Sequence, residues 1–189
     1  MYLLLEEAGK LKIYYGDESG FSLEPCITYG WQPPGEYVRI TPVGGRRLNV
    51  FGLLSRDNHL HAYSVEGSVD TDIVIACIDE FVKTIDKKTV IVLDNASIHR
   101  SKKFNTKLCE WTERGLRIFH LPPYSPHLNL IETFWRKIKY DWLKPSDYTS
   151  WETLQKALDN ILTKTGKEFK IEFSELVHFK EYKAAINYG

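Results

Sequence analysis

Residues 90–93 read Val90-Ile91-Val92-Leu93, four apolar side chains in succession, and the next residue is Asp94. A strand with apolar groups on both faces has no solvated side. It belongs at the centre of a covered sheet, the setting of parallel strands. That confines the chain to an α/β architecture, because parallel strands need crossover segments that return over the sheet. A strand expected over 89–94 thus ends in a charge, which is costly in a buried setting unless something pairs with it.

The elements on either side follow from periodicity and turn chemistry. Strands are expected at 11–16, 48–54 and 60–65, with Arg56-Asp57-Asn58 as the hairpin turn between the last two. Residues 21–45 read as irregular or extended, broken by a turn at Trp31-Gln32-Pro33-Pro34-Gly35 and again at Gly44-Gly45. A helix over about 70–86, capped by Ser68 or Asp70, carries Ile73, Cys77, Phe81 and Ile85 on one stripe. Ser101 caps a helix with Phe104, Leu108 and Trp111 inward, stopped by Gly115. A short strand, 116–120, precedes a helix over about 127–144 that buries Ile131, Trp135, Ile138 and Trp142. Thr149-Ser150-Trp151-Glu152 reads as a capping box for a helix ended by Gly166, and 174–187 as a last helix. The order β-β-β-α-β-α-β-α implies a mixed sheet flanked by helices, with a C-terminal helical extension over about 149–189. A length of 189 residues fits one domain with a sizeable core.

Two more carboxylates stand in places like that of Asp94. Asp17 closes the alternating run Leu11-Lys12-Ile13-Tyr14-Tyr15, and Glu132 falls in the first turns of the helix entered through Leu121-Pro122-Pro123-Tyr124-Ser125-Pro126. Sites in such sheets form at the carboxyl ends of strands near a switch in strand order. If the first and fourth strands are neighbours, Asp17 and Asp94 share one sheet end, and the helix from 127 brings Glu132 over it. Like charges gathered in a cleft raise one another's pKa unless a cation neutralises them, which points to a divalent metal.

Three blocks carry a family resemblance: Tyr15-Gly16-Asp17-Glu18-Ser19-Gly20-Phe21, Leu93-Asp94-Asn95-Ala96-Ser97-Ile98-His99, and Pro122-Pro123-Tyr124-Ser125-Pro126-His127-Leu128-Asn129-Leu130-Ile131-Glu132. They resemble the catalytic blocks of DDE transposases, in particular the mariner-like branch of bacterial insertion sequences. The 37 residues between Asp94 and Glu132 match the mid-thirties spacing of that branch. The resemblance implies an RNase H-like fold and a two-metal-ion DDE endonuclease that uses Mg²⁺, with Mn²⁺ as a substitute. It implies hydrolysis at transposon ends and strand transfer into target DNA, with Asp17, Asp94 and Glu132 as catalytic metal ligands. It also implies double-stranded DNA as partner and a homodimer as the active form. Leu130 departs from the proline usual before Ile-Glu. Relatives carry an N-terminal helix-turn-helix recognition region. This chain starts about 16 residues before Asp17, so that region is expected to be absent or supplied by a separate chain. Rival readings are another RNase H-like nuclease, such as a junction resolvase, and an inactive remnant that only binds DNA or assembles.

The charge distribution accords with a polyanionic partner although the formal net charge is zero. From 91 to 145 there are ten Lys/Arg against five Asp/Glu, so that half carries the positive potential. His99, Arg100, Lys102 and Lys103 surround a helix start, where cations oppose the helix dipole and a bound phosphate would relieve the conflict. They are candidate DNA contacts, with Arg136 and Lys139 after Glu132, and with Asn129, which caps that helix or orients the approach to Glu132. Glu18 alternates to the face opposite Asp17 and is assigned a supporting or surface role. His59 and His61 share a strand face but lack partners at zinc-ligand spacing. Ser97 and His99 lack a nucleophile elbow. No apolar run approaches a membrane span of about 20 residues. The odd, widely spaced Cys26, Cys77 and Cys109 fit reduced thiols of a cytoplasmic protein.

Overall fold

Five strands, β1 (Lys12–Ser22), β2 (Arg47–Ser55), β3 (Leu60–Glu66), β4 (Thr89–Leu93) and β5 (Leu116–His120), form one sheet in the order β3-β2-β1-β4-β5. The computed structural model describes residues 1–25, 46–123 and 125–173. The turn expected at 31–35, the break at Gly44 and Gly45, Cys26 and the helix expected over 174–187 lie outside them. All five residues of β4 are buried, and it pairs in parallel with β1 on one side and β5 on the other. β2 pairs antiparallel with both β1 and β3. The mixed sheet and the adjacency of the first and fourth strands follow the expectation.

Strand β1 is longer than the 11–16 read from its alternation. Its pairing with β4 stops at Tyr15, but β2 continues to supply an antiparallel ladder from Tyr14↔Ser55 to Ser22↔Arg47. Asp17 therefore lies inside β1 and beyond the end of β4. The partner strand, more than the local pattern, sets where β1 stops.

Helices cover both faces. On one, α2 (Thr71–Val82) and α3 (Lys102–Glu113) bury Val74, Ile78, Phe81, Phe104 and Trp111 against Tyr14, Leu53, Ile91 and Leu93. The Trp111 indole N–H donates to Asp79 at 2.7 Å, tying α3 to α2. Asp70 caps α2 and Ser101 caps α3, each accepting backbone N–H groups of the first turn. Gly115, at φ +89°, ends the α3 region as expected.

On the other face lie α4 (Leu130–Lys137) and α5 (Trp151–Lys164), whose Ile131, Phe134, Leu154, Leu158 and Ile161 pack on Ile13, Tyr15, Val90 and Val92. Gly52 in β2 lets α4 approach closely: a Cβ there would stand 2.8 Å from Trp135 Cζ2 and 3.0 Å from Ile131 Cδ1. The single helix expected over 127–144 is broken into three parts. A 3₁₀ turn spans Pro126–Leu128, α4 follows, and a π-helical stretch spans Ile138–Trp142, closed by the Leu143 N–H donating to the Ile138 carbonyl. The widened turn carries Trp142 onto Phe134 and Phe169. The capping box of α5 pairs Ser150 with Thr153, one residue on from the pair read in the sequence. A short α1 (Tyr2–Glu7) had no counterpart in the sequence reading; its Glu6 carboxylate accepts the Ile13 N–H at 3.0 Å.

Candidate active site

The parallel register of β1 and β4 sets Tyr15 opposite Val92. Two residues further along, Asp17 stands level with Asp94. By strand alternation both belong with Ile13, Tyr15, Val90 and Val92, on the sheet face covered by α4 and α5. Glu132 is in the first turn of α4. It lines a cleft of about 420 Å³ with Asp94, Asn95 and Arg100. It also lines an open groove with Asp17, Arg136 and Lys139. The third acid thus lines one cleft with Asp94 and another with Asp17, beyond the carboxyl end of β4.

The electrostatics record the convergence. Burial, then Glu18, Asp94 and Glu132, push Asp17 up to about 8. Burial, followed by the Asp94 charge, raises Glu132. Asp94 moves the other way. The His99 hydrogen bond, helped by the Ala96 backbone N–H, outweighs burial and holds its carboxyl below the usual range.

Among the described residues, no three acidic, histidine or cysteine side chains form a ready-made metal cage. The donor chemistry nevertheless suits Mg²⁺. That ion keeps several waters and takes one or two carboxylates plus substrate phosphate oxygens, seldom a closed protein cage. Three oxygen donors beside an open cleft, one of them pushed up to about 8 by burial and then by its acidic neighbours, are an arrangement that a hard cation stabilises. His59 and His61 lie on the sheet face away from Asp17, where His59 Nδ1 is 2.9 Å from the Tyr14 hydroxyl and both rings pack on Tyr14.

The candidate DNA contacts divide. Arg100 and Arg136 are exposed and line the clefts beside Asp94 and Asp17, where Lys139 joins them with its ammonium 5.4 Å from the Phe21 ring. Lys102 is exposed at the start of α3, whereas Lys103 is ion-paired with Asp72 of α2. His99 and Asn129 correct the reading. His99 is fully buried, with Nδ1 2.8 Å from Asp94 Oδ1. Asn129 is 1% exposed and stands at the N-cap position of α4 without a capping side-chain hydrogen bond; its side-chain amide donates instead to the Gly16 carbonyl at 3.0 Å. Both residues serve the interior, which a count of surface-type residues around a helix start does not show.

Two further arginines, Arg46 and Arg47, are not among the candidates read from the sequence. They line a groove with Glu18, Asn49 and Ser68 on the other side of β1, and Arg47 lies across Gly20. The signal was present, since two arginines directly precede a strand that pairs with the Asp17 strand.

Taken together, the mixed sheet, its strand order and the helices on both faces define an RNase H-like fold. Residues 12–155 match the family described as DDE superfamily endonuclease, and the chain belongs to it. It is 26% identical over 149 residues to the insertion element IS630 uncharacterized 39 kDa protein of Shigella sonnei, covering 76% of this chain and 43% of that protein. The chain thus spans less than half the length of this curated relative. Its fold is similar to that of the Mos1 strand transfer complex, with TM-score 0.56 at 14% identity, over 86% of this chain and 51% of that one. It is also similar to the Mos1 mariner paired-end complex with Mn, with TM-score 0.56 at 16% identity, over 88% and 54%. The catalytic domain of Mos1 mariner transposase gives TM-score 0.52 at 12% identity, over 86% and 76%. No helix of the described residues is long and apolar enough to cross a membrane.

Proposed function

We propose that this chain is the Mg²⁺-dependent catalytic domain of a DNA transposase, which hydrolyses phosphodiester bonds at transposon ends and joins the freed 3′-OH to target DNA. The observation that supports the reading is electrostatic: after burial and Glu18, the charges of Asp94 and Glu132 raise Asp17, and after burial the charge of Asp94 raises Glu132. These three residues would hold Mg²⁺, or Mn²⁺ in its place. Mos1 mariner paired-end complexes with Mn and with Mg support the choice of ion. Two bound ions supply activation of the attacking oxygen and stabilisation of the leaving oxygen in an in-line displacement.

The chain's own residues would place the DNA. Arg100, Arg136 and Lys139 flank the acids and are suited to backbone phosphates, which fix position without reading sequence. Arg46, Arg47 and Lys102 extend the basic surface. We take double-stranded DNA in the bacterial cytoplasm as the substrate, and a homodimer on paired ends as the working form, by analogy with the Mos1 paired-end complexes. The recognition region of full-length relatives would come from elsewhere in the protein or from a separate chain.

Nicking of supercoiled plasmid tests this. Mn²⁺-dependent nicking by the wild type that disappears in Asp94→Ala is the expected result. Nicking that needs no divalent ion, or that survives Asp94→Ala, would overturn the assignment. Wild-type protein that binds Mn²⁺ and plasmid but never nicks would favour the inactive-remnant reading.

A further inference from the structure

One carboxylate near the site belongs to none of the three positions just assigned. Glu18 follows Asp17 in β1, and strand alternation turns it to the opposite sheet face. Its Oε2 is buried without a hydrogen-bond partner among the described residues. Facing it at 3.7 Å is Nε2 of His99, which is likewise buried and unpartnered. The other ring nitrogen, Nδ1, lies 2.8 Å from Asp94 Oδ1. An ionised carboxylate only accepts hydrogen bonds, so Nδ1 bears the proton and donates. The Ala96 backbone N–H donates to the same oxygen at 3.0 Å. With two donors on Oδ1, Oδ2 is the oxygen left for the cleft that Asp94 lines.

The ring itself is held from its backbone. His99 ends the short 3₁₀ turn Ser97–His99, whose Ile98 carbonyl accepts the Thr71 hydroxyl of α2 at 3.0 Å. Phe104 of α3 packs beside the imidazole, with ring centroids 6.2 Å apart. Here each nitrogen of a fully buried ring faces a different carboxylate, and the two carboxylates come from adjacent strands.

We propose that Glu18, His99 and Asp94 form a carboxylate–imidazole–carboxylate brace, in which His99 is a positioning residue that fixes the Asp94 carboxylate and Glu18 steadies the ring from behind through a proton carried between Nε2 and Oε2. The brace rests on the reading of Asp94 as a metal ligand and deepens it, because outer-shell partners that orient a ligating carboxylate affect metal affinity about 10- to 100-fold. It also assigns Glu18, adjacent to Asp17 in sequence, to a task on the other side of the sheet.

Two measurements on the full chain test the brace. Nitrogen-15 NMR of the metal-free wild type reads the ring directly. The expected result is a protonated Nδ1 whose resonance moves in Asp94→Asn; an unprotonated Nδ1, or one indifferent to that change, overturns the brace. Titration with Mn²⁺ reads its consequence. His99→Ala should weaken Mn²⁺ binding about tenfold or more. His99→Asn, whose amide nitrogen can replace Nδ1 as donor, should recover most of that loss. Glu18→Gln should give a smaller loss in a protein that still folds, since its side chain is 33% exposed. Unchanged Mn²⁺ affinity in folded His99→Ala, or in Glu18→Gln should the former fail to fold, overturns the proposal. Failure of the metal reading looks different: Asp94→Ala would then bind Mn²⁺ as the wild type does, and the NMR result alone decides the brace.

Discussion

The Asn129 side-chain amide donates to the Gly16 carbonyl at 3.0 Å, joining the start of α4 to β1 one residue before Asp17. This bond spans 113 residues of sequence and links the helix of Glu132 to the strand of Asp17. Asn129→Ala leaves a buried carbonyl without its donor, at a cost of about 1–3 kcal/mol. The variant should unfold at lower urea concentration, and its Mn²⁺-dependent nicking should fall even where it remains fully folded. Full nicking by folded Asn129→Ala would show that the bond serves stability alone.

Gly52→Ala places a methyl group 2.8 Å from the Trp135 ring. Both the ring and Ile131 are buried in the same interface, so neither can move without disturbing the core. Overpacking of this kind costs about 1–3 kcal/mol. The urea midpoint should drop accordingly, and a midpoint equal to that of the wild type would mean that α4 shifts freely on the sheet.

Asp17, pushed from 3.8 to about 8, holds its proton more tightly when folded than when unfolded. Such a group does not oppose folding below its ordinary pKa. It removes stability progressively as pH rises from about 4 to about 8. In metal-free buffer Asp17→Asn should therefore melt above the wild type, with a larger gap at about pH 8 than at about pH 4. Mg²⁺ should narrow the gap at the higher pH by stabilising the wild type through linkage. Thermal melts at both pH values, with and without the ion, check the sign.

Arg100 and Arg136 flank the acids, while Lys103 is engaged with Asp72. Removing one phosphate contact lowers the slope of log affinity against log salt by about 1. Arg100→Ala and Arg136→Ala should each do so in DNA-binding titrations, and Lys103→Ala should not. Equal slopes for all three variants would separate these arginines from the DNA path.

The parts of the fold written in local pattern were legible. The apolar run ending in Asp94 announced a central parallel strand, and Ser101 and Gly115 marked the two ends of α3. What escaped depended on partners remote in sequence. The ladder from β2 carries β1 on to Ser22, and packing of Trp142 against Phe169 accompanies the π-helical turn that interrupts the expected long helix. At the site, Asp94 and Glu132 do stand at an element end and an element start beside apolar residues, whereas Asp17, read as closing its strand, lies within β1. His99 reads as a surface contact, and Asn129 as a contact that caps its helix or orients the approach to Glu132, because nothing local reveals that a polar side chain faces inward. Only the fold shows that Asp94 and Gly16 await them there.

Two of the acids continue neighbouring strands whose shared ladder ends at Tyr15 and Val92, whereas the third arrives on a separate helix. The 37 residues between Asp94 and Glu132 must therefore make one outward journey and one return: α3 down to the turn at Gly115, then β5 back up. Gly115 lies at the far end of the sheet, so lengthening the chain there adds slack where no chemistry occurs. An added residue between Leu121 and Asn129 falls on the approach to Glu132 and rotates or displaces its carboxylate. Length variation among homologous domains should accordingly gather at the remote turn and spare the approach.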